Sequence, residues 1–138
     1  SIFGEALEYV SEELKNDRDI VLAAVHNTGY ALEFAPDQFK NEKEVVLTAV
    51  SNDGFALDYA SEDMKNDKEV VLKAISDIGT VLCYASYELR SDKQIVLAAV
   101  SKSPGAIKYA SDELQNDPDV IAAAMECETR LAKMPIVF

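Results

Sequence analysis

Apolar and polar positions alternate along this chain in blocks that return every 25 residues, without a gap in register. One apolar column runs Leu7, Leu32, Leu57, Leu82, Ile107, and an aromatic one follows it at Tyr9, Phe34, Tyr59, Tyr84, Tyr109. A longer block gives Ile20, Val45, Val70, Ile95, Val120, then Ala24, Ala49, Ala74, Ala99, Ala124, then Val25, Val50, Ile75, Val100, Met125. Polar columns keep the same step, with Asp17, Glu42, Asp67, Asp92, Asp117 ahead of the long block and Ser11, Pro36, Ser61, Ser86, Ser111 behind the aromatics. Self-similarity at a fixed short period is the signature of a repeat architecture.

Each unit is expected to hold two helices. Apolar residues at Ile20, Val21, Ala24 and Val25 fall at i, i+1, i+4 and i+5, a stripe along one side of a helix. Asp17 is the expected N-cap of that helix, and Asp19 places negative charge at the positive end of its dipole. In the last copy Pro118 follows Asp117, in the first helical position where no amide hydrogen is needed. Gly29, Gly54 and Gly79 are expected to end the long helices in the left-handed conformation, with Pro104 in that column and the glycine slipped to Gly105. A second, shorter helix follows, Ala31 to Ala35 in one copy. The serine after it opens one more turn, as in Ser61-Glu62-Asp63-Met64, either a separate turn of α or 3₁₀ type or a kinked continuation.

A single unit is too small to bury its own stripe, whereas stacked units share one core. The fold expected is therefore all-α, an α-solenoid of tandem helical-hairpin repeats forming a single array over 1–138, with units at 17–41, 42–66, 67–91 and 92–116 and partial units at 1–16 and 117–138. At about 10 Å between packed helix layers it would be on the order of 50 Å long. The chain begins at Ser1 and stops at Phe138, each partway through a unit, so either a piece of a longer array or a processed chain is expected.

Charge changes the picture at the surface. The formal net charge is −12, from 25 acidic and 13 basic residues. Eight of the basic residues lie in two columns beside the turn before each long helix: Lys15, Lys40, Lys65, Arg90 and Arg18, Lys43, Lys68, Lys93. Interleaved with Asp17, Asp67 and Asp92, they should form a mixed-charge edge. The rest of the surface, including Glu5, Glu8, Glu33, Asp53, Asp58 and Asp77, should be nearly pure acid. Such a surface either keeps an array soluble or steers a basic protein or peptide toward it. Nucleic acid needs a basic track, which is missing away from the turn edge.

Candidate chemistry is sparse, because catalysis needs unlike groups brought together once and a repeat supplies like groups many times. The lone His26 stands in a column otherwise held by Ser51, Ser76 and Ser101 and reads as a surface residue. Cys83 and Cys127 fall in different columns without metal or redox spacing and read as reduced structural thiols of an intracellular protein. Asn-Asp-x-Glu concentrates oxygens but lacks the glycine and distal glutamate of an EF-hand loop, so N-capping explains it without a metal. No enzyme activity, cofactor or metal is expected, and no run of about 18 apolar residues suggests a membrane span. Positions that vary between units are the better guide to binding. Tyr30 and Phe55, which Thr80 and Gly105 replace further on, form either an aromatic platform for a partner or a staple to the neighbouring unit. Mid-helix, Thr48 and Lys73 vary in a column otherwise held by Ala23, Ala98 and Ala123, none of them expected to be needed for the stack. The partner-binding set expected is Tyr30, Glu33, Phe55, Asp58 and Lys73.

The pattern Asn-Asp-x-Glu-Val-Val-Leu-x-Ala-Val, followed by Gly-x-Ala-Leu-x-Tyr-Ala-Ser-x-x-Leu, resembles the tandem repeat known as domain of unknown function 4116, in about five copies over nearly the whole chain. The resemblance implies tandem arrays, some within larger multidomain proteins, and carries neither an activity nor catalytic residues. Departures fall at Pro36 in the serine column, at Thr80-Val81, at Ser103-Pro104-Gly105 and at Glu128-Thr129-Arg130. Two functions are compatible with this reading. One is a non-catalytic interaction or scaffold module that binds a basic protein or peptide through its acidic surface. The other is an architectural spacer within a larger enzyme or secreted effector whose activity lies in another domain.

Overall fold

The computed structural model describes residues 11–133, and within them every regular element is helical. The expectations placed on Leu7, Tyr9, Gly4, Glu5, Glu8 and the two chain ends lie outside the described residues. Long helices α2 (Arg18–Asn27), α4 (Lys43–Asn52), α6 (Lys68–Asp77), α8 (Lys93–Lys102) and α10 (Pro118–Ala132) pack in series. After each of the first four comes a 3₁₀ helix: η1 (Gly29–Phe34), η2 (Gly54–Tyr59), η3 (Gly79–Tyr84) and η4 (Pro104–Tyr109). Single α-turns stand before the long helices: α1 (Glu12–Lys15), α3 (Asp37–Lys40), α5 (Glu62–Lys65), α7 (Tyr87–Arg90) and α9 (Asp112–Gln115). The result is a two-layer array. Long helices contact long helices, 3₁₀ helices contact 3₁₀ helices, and each 3₁₀ helix also touches the long helices of its own and the next unit.

The core lies between the layers and runs the length of the array. Leu32, Leu57 and Leu82 of the 3₁₀ helices are fully buried against Val21, Val25, Val46, Val50, Val71 and Ile75 of the long helices. A leucine buried so completely contributes about 1.5–3 kcal/mol relative to an exposed one, so the repeating core outweighs the low intrinsic stability of so many short helices.

Caps set the starts of the helices, as their spacing predicts. Asp17 accepts the amides of Asp19 and Ile20, Asp67 that of Val70, and Asp92 those of Gln94 and Ile95. Asp117 does the same for α10, with Pro118 in its first turn. The serine column caps the short turns: Ser61, Ser86 and Ser111 accept the amides of Met64, Leu89 and Leu114. Pro36 has nearly the same backbone conformation as these serines but offers no side-chain cap.

The unit differs from a hairpin of two α-helices in two respects. The middle element is a six-residue 3₁₀ helix, and the turn after it is a separate α-turn, so each unit has three helical pieces. The glycine column also has another cause than the one expected. No described residue, glycine included, has a positive φ, and the long helix ends on an extended residue such as Thr28 or Asp53. Gly29, Gly54 and Gly79 instead begin the 3₁₀ helices where the next long helix presses against them. A Cβ there would lie 2.4, 2.7 and 2.3 Å from the carbonyl oxygens of Ala49, Ala74 and Ala99 respectively. Gly105 has no atom within 4 Å of such a Cβ, so the slipped glycine does not take over this role.

Candidate functional site

Three kinds of bond tie each of the junctions between the units at 17–41, 42–66, 67–91 and 92–116. Along the turn edge runs a ladder of ion pairs: Arg18 with Glu42 and Glu44, Lys43 with Asp67 (3.1 Å) and Glu69 (2.8 Å), and Lys68 with Asp92 (3.3 Å). At the other end of the long helices the column-glycine amides donate to the following unit. Gly29 donates to Asn52 Oδ1 (2.8 Å), Gly54 to Asp77 Oδ2 (3.1 Å) and Gly79 to Ser103 Oγ (3.2 Å). Ser103 fills in because Lys102 stands where Asn52 and Asp77 do. Beside the short turns, the amides of Ser61, Ser86 and Ser111 reach back to the carbonyls of Lys40, Lys65 and Arg90 at 2.9–3.0 Å. Proline at 36 has no amide hydrogen for such a bond. The ladder continues to α10, where Lys93 meets Asp117 (3.1 Å) and Asp119 (2.7 Å).

The ladder engages Arg18, Lys43, Lys68 and Lys93, half of the two basic columns, and confirms the mixed-charge edge. Hydrogen bonding to Lys93, reinforced by the amides of Asp119 and Val120, holds the Asp117 carboxyl below the usual carboxylate range against the opposing effect of burial. Burial alone would raise Asp67, but the Val70 amide and the Lys43 ammonium together bring it below its ordinary value. Lys43 is raised in return, by Glu69 first and Asp67 second.

Away from that edge the two layers present different surfaces. The structure places Tyr30 and Glu33 on η1 and Phe55 and Asp58 on η2, in the 3₁₀ layer. It separates Lys73 from them. Lys73 stands on α6, where it lines a shallow groove with Leu47, Ser51, Leu72 and Ser76 in the other layer. His26 lines the preceding groove between long helices, with Lys43, Glu44, Leu47, Ser51 and Asn52. The mid-helix column is also less free than its variation suggests: Ala98 and Ala123 are half-buried and packed on the core.

Tyr30 and Phe55 are 44% and 46% exposed, and of the described aromatic rings Tyr87 at 66% is exposed as well. Tyr30 meets Phe34 of its own unit edge-on at 5.9 Å between centroids and Tyr59 of the next unit at 5.6 Å and 89°. It is therefore a staple across the junction as well as an exposed aromatic. Beside these rings, Glu33 Oε2 is buried and has no hydrogen-bond partner. Glu33, Asp53 and Asp58 enter no ion pair among the described residues. Their charge is felt locally. Burial first, then Glu33 and Asp58, raise the Tyr59 hydroxyl above its ordinary value, and burial with Asp58 raises the Cys83 thiol. The raised thiol is a poor nucleophile. The contribution of Tyr59 and Phe34 to this patch could not be read from variation between units, because their column is aromatic throughout.

The family comparison agrees with the period. A family model described as Domain of unknown function (DUF4116) matches residues 1–40, 42–90 and 92–127 in tandem. Neither a curated protein nor a solved structure matches the sequence. With three successive matches spanning most of its length, the chain belongs to the DUF4116 family and is a tandem array of its repeat.

Proposed function

We propose that the array is a binding module without chemistry of its own, and that the 3₁₀ layer around Tyr30, Glu33, Phe55 and Asp58 receives a basic protein segment. The observation that carries this reading is the junction of η1 and η2. There a buried carboxylate oxygen of Glu33 lacks a donor beside the rings of Tyr30, Phe34 and Tyr59, with Asp53 and Asp58 adding negative charge. An orphaned buried acceptor costs about 1–3 kcal/mol, and a guanidinium or ammonium would supply the donor while stacking on an aromatic face. Lys73, in the other layer, is outside this surface.

Titration of labelled arginine- and lysine-rich peptides tests the proposal. Binding at low salt should weaken in Glu33→Gln/Asp58→Asn and in Tyr30→Ala/Phe55→Ala, and be unmoved by Lys73→Ala. Undiminished affinity in the first two variants, or equal binding of acidic peptides, would overturn it. A second reading, an architectural spacer in a larger protein, is favoured by the threefold tying of each junction, which suits a stiff rod. An array that holds flanking segments at a fixed separation and binds no peptide would support that reading instead.

A further inference from the structure

The charge of the 3₁₀ layer changes sign along the array. Glu33, Asp58, Cys83 and Lys108 hold the same position in η1, η2, η3 and η4, and no other charged residue belongs to those four helices. Asp58 and Lys108 are exposed, Glu33 and Cys83 half-buried. Glu33 and Asp58 make one end acidic. At the other end Lys108 enters no ion pair among the described residues, and its ammonium lies 5.1 Å from the Tyr109 ring centroid. Arg90 of α7 adds a second cation there, held between η3 and η4 by donating to the carbonyls of Ala85 (3.2 Å) and Tyr109 (3.3 Å). The exposed rings follow the same polarity. Tyr30 and Phe55 stand in the acidic half, and Thr80 and Gly105 take their position in the other. Between the two ends runs one half-buried ring per unit, Phe34, Tyr59, Tyr84 and Tyr109. Cys83 lies on the path between them, its thiol influenced by both the Asp58 carboxylate and the Arg90 guanidinium.

We infer that the segment received by this layer is extended and bipolar, with a cationic end on Glu33 and Asp58 and an anionic end on Lys108, so that it passes over Cys83. The inference rests on the reading that the 3₁₀ layer binds a basic segment, and adds to it a direction and a length. A uniformly basic ligand would set like charge against Lys108, whereas one whose sign reverses is matched at both ends. Arginine suits the first end, because a guanidinium can stack on Tyr30 or Phe55 while it faces the carboxylates. The length follows from the repeat. Glu33 and Lys108 are three units apart, about 30 Å at ~10 Å for each packed layer. An extended chain covers that distance in roughly nine residues. A row one ring wide accommodates one such strand.

Fluorescence anisotropy with labelled peptides tests this. The first carries an arginine pair and a glutamate pair roughly nine residues apart, the second replaces the glutamates by glutamines, and the third sets the two pairs side by side. At low salt the first should bind about threefold more tightly than the others. Lys108→Gln should erase that advantage and leave the affinity of the glutamine peptide unchanged, and Lys108→Glu should reverse the preference. The first peptide should also slow alkylation of Cys83, read by mass spectrometry beside the buried Cys127. Equal affinity of the first two peptides, or Cys83 alkylated at the free rate in the saturated complex, would overturn the inference and leave the basic-segment reading standing. Failure of every arginine-bearing peptide to bind would remove both. A dimer in sedimentation that Lys108→Gln dissociates would put a second copy of the chain on this layer and overturn the inference as well.

Discussion

At the scale of single residues, the array depends on positions where nothing larger fits. Glycine at 29, 54 and 79 is required by the approach of a neighbouring helix's carbonyl oxygen and not by a left-handed turn, since φ is negative at each. Gly79→Ala should therefore destabilise the protein by about 1–3 kcal/mol through overpacking against the Ala99 oxygen. Gly105→Ala, in open space, should be neutral or stabilise by up to about 1 kcal/mol through the unfolded chain. Chemical denaturation of the two variants beside the parent checks the contrast. Equal effects would show that the Ala99 oxygen gives way to a Cβ at no cost. The sequence showed that a glycine recurs but not why, because the cause sits a whole unit away. The same holds for Tyr30. Its variation marked it out, while its edge-on contact with Tyr59 needed coordinates.

At the scale of the element, what was legible was whatever the neighbouring residues decide. The Asp caps, Pro118 in the first turn of α10 and the stripe of each long helix follow from local rules and were found where expected. The 3₁₀ character of Gly29–Phe34 was not legible, because in a six-residue segment the periods of three and 3.6 residues cannot be told apart. The ion-pair ladder that joins successive helices makes stability depend on pH in a definable way. Asp67, Asp92 and Asp117 are depressed in the folded state, so their contribution is present above the unfolded value of about 3.9 and lost as pH falls through the lower folded value. Lys43 and Lys93 are raised, so theirs is present below about 10.4 and lost as pH climbs through the higher folded value. Thermal unfolding should accordingly be flat from roughly pH 5 to 8 and fall on both sides, the raised Cys83 thiol opening the alkaline decline above its unfolded value of about 8.5. The pairs are largely exposed, so Lys43→Ala should lower the midpoint slightly at low salt and by less in concentrated salt. A salt-independent loss would show that the lysine acts through packing of its stem instead.

At the scale of the whole molecule, stability is a sum of units and their junctions, so it should vary along the chain. Units at 42–66 and 67–91 have described neighbours on both sides and the full set of three junction bonds on each. In α10, by contrast, every residue from Glu128 to Ala132 is exposed. Amide hydrogen exchange should be slowest in α4 and α6 and fastest, within the long helices, over the last turns of α10. Uniform protection would instead indicate one all-or-none unit. The junction bonds carry one more consequence. Side-chain hydrogen bonds from one unit to the next join residues only 19 to 29 positions apart in sequence, as in Arg90 to Tyr109 and Arg130 to Ser101. Among the described residues, partners this near leave no distant segments to bring together. The chain can close its structure one unit at a time, beginning while the ribosome is still adding the next, and with little of the entropic delay that slows proteins whose termini must meet.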